Sequence, residues 1–237
     1  MNFAGQVVLI TGASTGIGAE LARQFARAGA HVALAARDEV KLQAVADECR
    51  AAGGEALVVP TDVTIDAQCA AMVATAVAHF GRLDILVNNA GMSMSAMFDE
   101  ITDLSIFEKL MRLNFLGSVW CTAYALPHLK QSRGRVVAIS SLTGLAGVPK
   151  RSAYAASKHA MAGFFDSLRY RARGQRRERH GGLSGLRLFG DQCARLRPRR
   201  HRVRRPCLQA PARRDDGNGP NAAASYLAPW RGATVIW

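Results

Sequence analysis

Residues 6–18, QVVLITGASTGIG, decide the fold. Gln6 to Ile10 is a short apolar run suited to a buried strand, Thr11 to Gly18 is a glycine-rich turn, and the AELARQFARAGA that follows has a helical pattern. A strand, a glycine turn and a helix in that order make a phosphate cradle, because the first helical turn offers unpaired N–H groups at the positive end of the helix dipole. Gly12 allows the tight turn, Gly16 lets the backbone approach a pyrophosphate, and Gly18 permits close helix packing. A lone glycine motif is weak evidence; the strand before it and the helix after it give it weight.

Working outward, His31 to Ala36 (HVALAA) reads as a second strand that closes a βαβ unit. An acidic residue at the end of this strand would accept the ribose 2′-hydroxyl of NAD, whereas an arginine can hold the 2′-phosphate of NADP. The strand ends in Ala36-Arg37, which favours NADP(H), with Arg37 and Ser14 as phosphate contacts. Asp38, one residue late, keeps NAD as the alternative; the plainer reading is that Arg37 and Asp38 simply open the next helix.

Glu39 to Ala52 is amphipathic and stops at Gly53-Gly54, and Ala56 to Val59 is a third strand leading into Pro60-Thr61-Asp62-Val63. Asp66 to Phe80 is a helix closed by Gly81, and Leu83 to Val87 is a fourth strand that runs into Asn88-Asn89-Ala90-Gly91. Strands alternating with helices predict an α/β chain with a doubly wound parallel sheet. Such sheets bind ligands at the carboxyl ends of their strands, where Gly12, Arg37, Asp62 and Asn88 all fall.

Residues 92–103 read as a surface connection, and Leu104 to Gln131 as a buried helix with Asn114 in its middle. A buried asparagine needs partners, and a catalytic water relay is one way to supply them. Gly134 to Ile139 is a fifth strand that delivers Ser140 and Ser141 to the same sheet edge, and Ser152 to Tyr170 is a helix carrying Tyr154 and Lys158. These are the parts of a proton-transfer site. A phenol titrates near 10 and is a poor acid or base at neutrality unless a cation stabilises its phenolate. At i,i+4 Tyr154 and Lys158 share one helix face, close enough for that, directly or through a cofactor sugar hydroxyl. Alone, the Tyr-x-x-x-Lys spacing reads as a solvated helix face; the rest of the chain overturns that reading.

At 237 residues the chain fits one large α/β domain. No apolar run approaches the ~18 residues of a membrane span, and Met1 to Gly5 has no basic leader region, so a cytoplasmic protein without membrane contact is expected. Five scattered cysteines with no C-x-x-C read as core or surface thiols, not as disulfides or a zinc site, and no metal is expected. The net charge of +13 is uneven: residues 1–170 balance to +1, and residues 171–237 carry +12, every base there being arginine.

TGASTGIG at 11–18, NNAG at 88–91, Asn114, Ser141 and YAASK at 154–158, in this order and spacing, resemble the short-chain dehydrogenase/reductase family over about residues 5–170. The run ALPHLKQSRGRVVAISSLTGLAGVPKRSAYAASK is most similar to its 11-beta-hydroxysteroid-dehydrogenase-like branch. The resemblance implies a Rossmann fold and NAD(P)-dependent hydride transfer between a carbonyl and an alcohol on a small-molecule substrate. It implies that Tyr154 is the acid/base, that Lys158 binds the nicotinamide ribose and lowers the Tyr154 pKa, and that Ser141 orients the substrate oxygen. Asn114 would hold a relay water. Gly12, Ser14, Gly16, Ile17 and Gly18 would carry the cofactor phosphates and the nearby ribose, Asp62 and Val63 the adenine, and Asn88, Ala90 and Gly91 the central groove. A homodimer or homotetramer through helices 104–131 and 152–170 is the family expectation.

After Tyr170 the resemblance implies a valine-rich sixth strand, a Pro-Gly turn over the nicotinamide, a substrate lid and a seventh strand. Residues 171–237 hold only three Val and Ile in all, so these C-terminal strands read as lost and the sheet edge as unpaired. Three explanations fit this second region. Translation of GC-rich DNA in a shifted reading frame is favoured, since it enriches Arg, Gly, Pro and Ala at the expense of Lys. A disordered arginine tail binding nucleic acid or an anionic membrane is disfavoured by its few aromatic residues. A divergent end that still folds is the third. The expectation is therefore a dinucleotide-binding and catalytic domain over residues 1–170, doubtful in turnover, and an arginine-rich tail over 171–237. The competing readings are a catalytically dead relic or a noncatalytic phosphate binder.

Overall fold

The computed structural model describes residues 3–177 and 233–236. The chain runs β1 (Val7–Thr11), α1 (Gly16–Arg27), β2 (His31–Ala36), α2 (Glu39–Ala51), β3 (Ala56–Pro60), α3 (Asp66–Phe80) and β4 (Ile85–Asn88). It continues with α4 (Ser105–Leu110), a π-helical turn (Met111–Leu116), α5 (Gly117–Gln131), β5 (Arg135–Ile139), α6 (Ser152–Arg177) and β6 (Ala233–Ile236).

The strands form one parallel sheet in the order β3-β2-β1-β4-β5-β6. All five residues of β1 are buried, as a central strand covered on both faces requires. Alternation along the strands builds two cores. Val7, Leu9 and Leu86 face α3, α5 and α6 with Cys69, Met72, Cys121 and Phe165; Val8, Ile10, Ile85 and Val87 face α1 and α2 with Ala22, Leu42 and Cys49. The chain turns back on itself between β1 and β4, and at such a switch point adjacent loops diverge and open a crevice.

Two expectations need correction. The first is the unpaired edge: Ala233–Ile236 lies parallel to β5, with Val136 opposite Ala233 and Ile139 opposite Ile236. A four-residue strand, three of its residues β-branched, satisfies the free N–H and C=O groups of β5 even though it comes from the far end of the chain. The expectations for residues 178–232 lie outside the described residues. The second is the helix 104–131, which contains the π turn at 111–116. Among the described residues no helix is long and apolar enough to cross a membrane, and no cluster of His, Cys, Asp and Glu could hold a metal ion.

Candidate active site

The crevice at the switch point is a cavity of about 860 Å³, within the range of cofactor pockets. Its phosphate end is built by the turn after β1. Gly12 sits at φ 66°, in the left-handed region, and a Cβ there would lie 2.8 Å from Ala90 Cα. A Cβ on Gly18 would lie 2.2 Å from the Gly12 carbonyl oxygen. Thr15, the residue before α1, makes no side-chain cap, and no acidic residue occupies the first turn of the helix. The helix start therefore offers its N–H groups and partial positive charge to an anion in the cavity. Together with the clearance left by Gly12 and Gly18, this fits a pyrophosphate.

Ser14, Ile17, Arg37, Asp62, Val63, Ala90, Gly91, Tyr154 and Lys158 also line the cavity. Arg37 is exposed and makes no ion pair among the described residues. Asp38 is otherwise engaged: its carboxylate caps α2 by accepting from the Lys41 amide at 3.0 Å and pairs with the Lys41 ammonium at 2.7 Å. These contacts hold the Asp38 carboxyl below its ordinary range, the Lys41 hydrogen bonds being the cause. Asp38 thus opens α2, as the plainer reading has it, and it also lines the cavity beside Arg37. Lys41, absent from the sequence expectation, lines the cavity as a second cation.

Asn88 does not line it. Its side chain is buried and donates to Thr122 Oγ1 at 3.0 Å, toward α5. The lining residue is Asn89, whose Nδ2 donates to the carbonyls of Thr11 and Gly12 at 3.0 and 3.1 Å and so pins the glycine turn to the end of β4. Strand alternation carries the signal for this: Asn88 follows Leu86 onto the α5 side of the sheet.

At the other end, Lys158 is 4% exposed and donates to the Ile139 carbonyl at 2.9 Å. Its Nζ lies 5.8 Å from the centre of the Tyr154 ring. Burial pushes its ammonium down from 10.5 to about 8. Ser141 caps the short turn Leu142–Gly144, and its Oγ accepts from the Thr143 amide at 3.2 Å and from Thr143 Oγ1 at 2.9 Å. With those lone pairs used, its own hydroxyl proton is free to donate. Ser140, not Ser141, lines the cavity, and its buried Oγ has no partner among the described residues. A buried hydroxyl of that kind marks a place for a bound polar group.

Asn114 is completely buried in the π turn. Its Oδ1 accepts from the Met92 amide at 2.9 Å, and its Nδ2 donates to the Met92 carbonyl at 3.0 Å and to Ser157 Oγ at 2.9 Å. Both amide protons are spent on protein, so the side chain braces the loop after β4 against α6. A π turn commonly marks a functional site, and here it aims Asn114 at the Tyr154 helix.

A short chain dehydrogenase family profile matches residues 6–176. Among curated proteins, 11-beta-hydroxysteroid dehydrogenase-like 4A of Arabidopsis thaliana is 45% identical over 166 residues, covering 70% of this chain and 56% of that protein. The 11-beta-hydroxysteroid dehydrogenase A of Arachis hypogaea is 46% identical over 169 residues, covering 71% and 48%. The chain spans about half the length of the curated relatives it matches. Among solved structures, a protein of Sinorhizobium meliloti assigned as a short-chain alcohol dehydrogenase superposes with a TM-score of 0.70 at 31% identity, covering 74% of this chain and 69% of that one. An alcohol dehydrogenase from the archaeon Thermococcus sibiricus, complexed with 5-hydroxy-NADP, gives 0.68 at 28% identity, covering 70% and 71%. With the profile matching most of its length and the switch-point cavity built from the same motifs, this chain belongs to the short-chain dehydrogenase family of oxidoreductases.

Proposed function

We propose that the cavity binds NADP(H) and that Tyr154, Lys158 and Ser141 carry the proton-transfer half of a carbonyl–alcohol interconversion. The observation that carries this reading is the presence of Tyr154 and Lys158 on the wall of the same cavity that begins at the glycine turn. The nicotinamide, when bound, supplies or accepts the hydride. The protein's own groups do the rest. Tyr154 donates its hydroxyl proton to the carbonyl oxygen in reduction and takes it back in oxidation. The Lys158 ammonium, held against the end of β5 by Ile139, stabilises the phenolate that forms. Ser141 donates its free proton to the same substrate oxygen and orients it, and Asn114 keeps Met92 and Ser157 in place around them.

Preference for NADP rests on Arg37, free at the end of β2, on Lys41 beside it, and on the engagement of Asp38 in the α2 cap. The relative complexed with 5-hydroxy-NADP supports the same choice. Fluorescence titration should show NADPH bound about 30-fold more tightly than NADH, the worth of a charge-assisted phosphate contact. Arg37→Ala should remove most of that difference. Equal affinity for the two cofactors in the unaltered protein would sink the preference.

Turnover is a separate matter. The resemblance places the nicotinamide turn and the substrate lid after Tyr170, where this sequence carries its arginine-rich stretch. Purified protein is therefore expected to show little or no NADPH-dependent carbonyl reduction over a panel of ketones and aldehydes. Robust turnover abolished by Tyr154→Phe would refute that expectation.

A further inference from the structure

Two loops meet beside Tyr154. The one after β4 reaches the cavity wall at Met92 and Ser93, and the one after the Leu142–Gly144 turn leads into α6 through Lys150 and Arg151. The Ala96 amide donates to the Lys150 carbonyl at 3.0 Å, and Lys150 sits at φ 66°, in the left-handed region, although it is not a glycine. A side chain there is strained and persists only where its surroundings hold it, and such residues cluster at functional sites. This turn delivers Arg151, which is half-buried. Its guanidinium donates to Ser93 Oγ and stands 6.0 Å from the centre of the Tyr154 ring. Both of those partners line the cavity. Among the described residues Arg151 forms no ion pair, and Glu100 on the facing loop is engaged with the Met97 amide. Most of the five N–H donors of the guanidinium are therefore unused. The cofactor reading does not use them either: Arg37 and Lys41 stand at the end of β2, on one side of β1, whereas Arg151 enters on the other, beyond β4 and β5.

We infer that Arg151 is a specificity-determining residue that holds a carboxylate of the substrate, so that the carbonyl compound taken by this site is an oxo acid and the alcohol is the corresponding hydroxy acid. This rests on the reading of Tyr154 as the proton donor to the carbonyl oxygen. A guanidinium presents its N–H groups in a planar fork that matches a carboxylate, and the opposite charges strengthen each hydrogen bond. Fastened to Ser93 beside the Tyr154 ring, the fork fixes the carboxylate next to the place where the carbonyl oxygen must meet the Tyr154 hydroxyl. Two anchored groups on one small molecule restrict the orientation of the carbon between them, which is what hydride transfer needs. The same two loops expose Met97, Phe98, Leu145 and Val148, which suits an oxo acid whose remaining body is apolar. An acid gains from Arg151 and its neutral ester does not.

The test is calorimetric binding of benzoylformate and of its neutral methyl ester to the full chain, with and without saturating NADP⁺, a cofactor form that can reduce neither probe. The acid should bind at least about ten-fold more tightly than the ester, the worth of a charge-assisted hydrogen bond. Arg151→Met, which keeps the stem and drops the charge, should make the two equal, and Arg151→Lys should keep part of the preference as a point charge without the fork. Lys150→Met removes a charge of the same sign one residue away and should leave the ratio unchanged. Equal affinities in the unaltered chain overturn the inference, and that comparison does not require any variant to fold. A preference that survives Arg151→Met, or that Lys150→Met removes equally, overturns it too, as does an unaltered chain that binds neither probe at millimolar concentration. A chain that binds NADP⁺ and shows no preference for the acid loses this inference and keeps the cofactor reading. A chain that does not bind NADP⁺, yet prefers the acid through Arg151, loses the cofactor reading and keeps the carboxylate site.

Discussion

Lys158→Met is expected to make the protein more stable at neutral pH and to weaken its hold on NADPH at the same time. Lys158 is 4% exposed, and among the described residues no carboxylate pairs with it; its ammonium rests on the Ile139 carbonyl and against the Met161 sulfur. Desolvation brings it down from 10.5 to about 8. The unfolded chain, with an ordinary lysine, binds this proton more strongly than the native state does. The sign follows: below about pH 8 the native state carries the full cost of a buried charge, and stability rises as pH climbs from about 8 toward 10.5. The shift corresponds to about 3 kcal/mol at neutral pH. Methionine keeps the bulk and removes the charge but forfeits the hydrogen bond to Ile139, worth about 1 kcal/mol. Urea denaturation at pH 7 should therefore show a gain of about 2 kcal/mol, and the gain should vanish by about pH 10.5. A variant less stable at pH 7, or a difference that ignores pH, would show that burial does not set the behaviour of this lysine. NADPH affinity should fall at least about ten-fold, since a cation on the cavity wall is lost. A charged group held at a cost to the fold is the pattern of a functional site.

The sheet was legible because its strands are continuous apolar runs and its helices begin and end on clear signals: Asp66–Phe80 matches its expected span to the residue, stopped by Gly81 at φ 73°. Most of the cavity wall was legible for a related reason, since motifs at strand ends must converge in a doubly wound sheet. Besides Lys41, three features escaped. The π turn at 111–116 leaves no break in the apolar pattern of LNFLG, because one extra residue per turn shifts hydrogen bonds without changing composition. Asn88 was placed in the groove with the residues after it, although the period of two along β4 points it at Thr122. The pairing of β6 with β5 was invisible because four residues at the far end carry no signal naming their partner.

Gly18→Ala is expected to cost about 3 kcal/mol and to abolish measurable cofactor binding, while Gly163→Ala is expected to stabilise the protein by about 1 kcal/mol. The contrast isolates space from glycine chemistry. Gly18 sits in the first turn of α1, buried, and an added methyl carbon would come within 2.2 Å of the Gly12 carbonyl oxygen and 2.5 Å of Asn89 Nδ2. Neither neighbour can give way cheaply. Gly12 is backbone in a left-handed turn, and Asn89 Nδ2 is fixed by hydrogen bonds to the Thr11 and Gly12 carbonyls. Accommodation must push α1 away from the turn, which breaks the Asn89 clamp and moves the helix N–H groups away from the anion they would hold. Gly163 lies in α6 with nothing within 4 Å of its missing Cβ, so alanine there only reduces the freedom of the unfolded chain. Paired urea melts and NADPH titrations of the two variants decide the matter. If Gly18→Ala melts like the unaltered protein and still binds NADPH, the helix does not pack on the glycine turn in the way this cradle requires. If Gly163→Ala is destabilised to the same extent, the cost belongs to losing glycine and not to the close approach of α1 to Gly12.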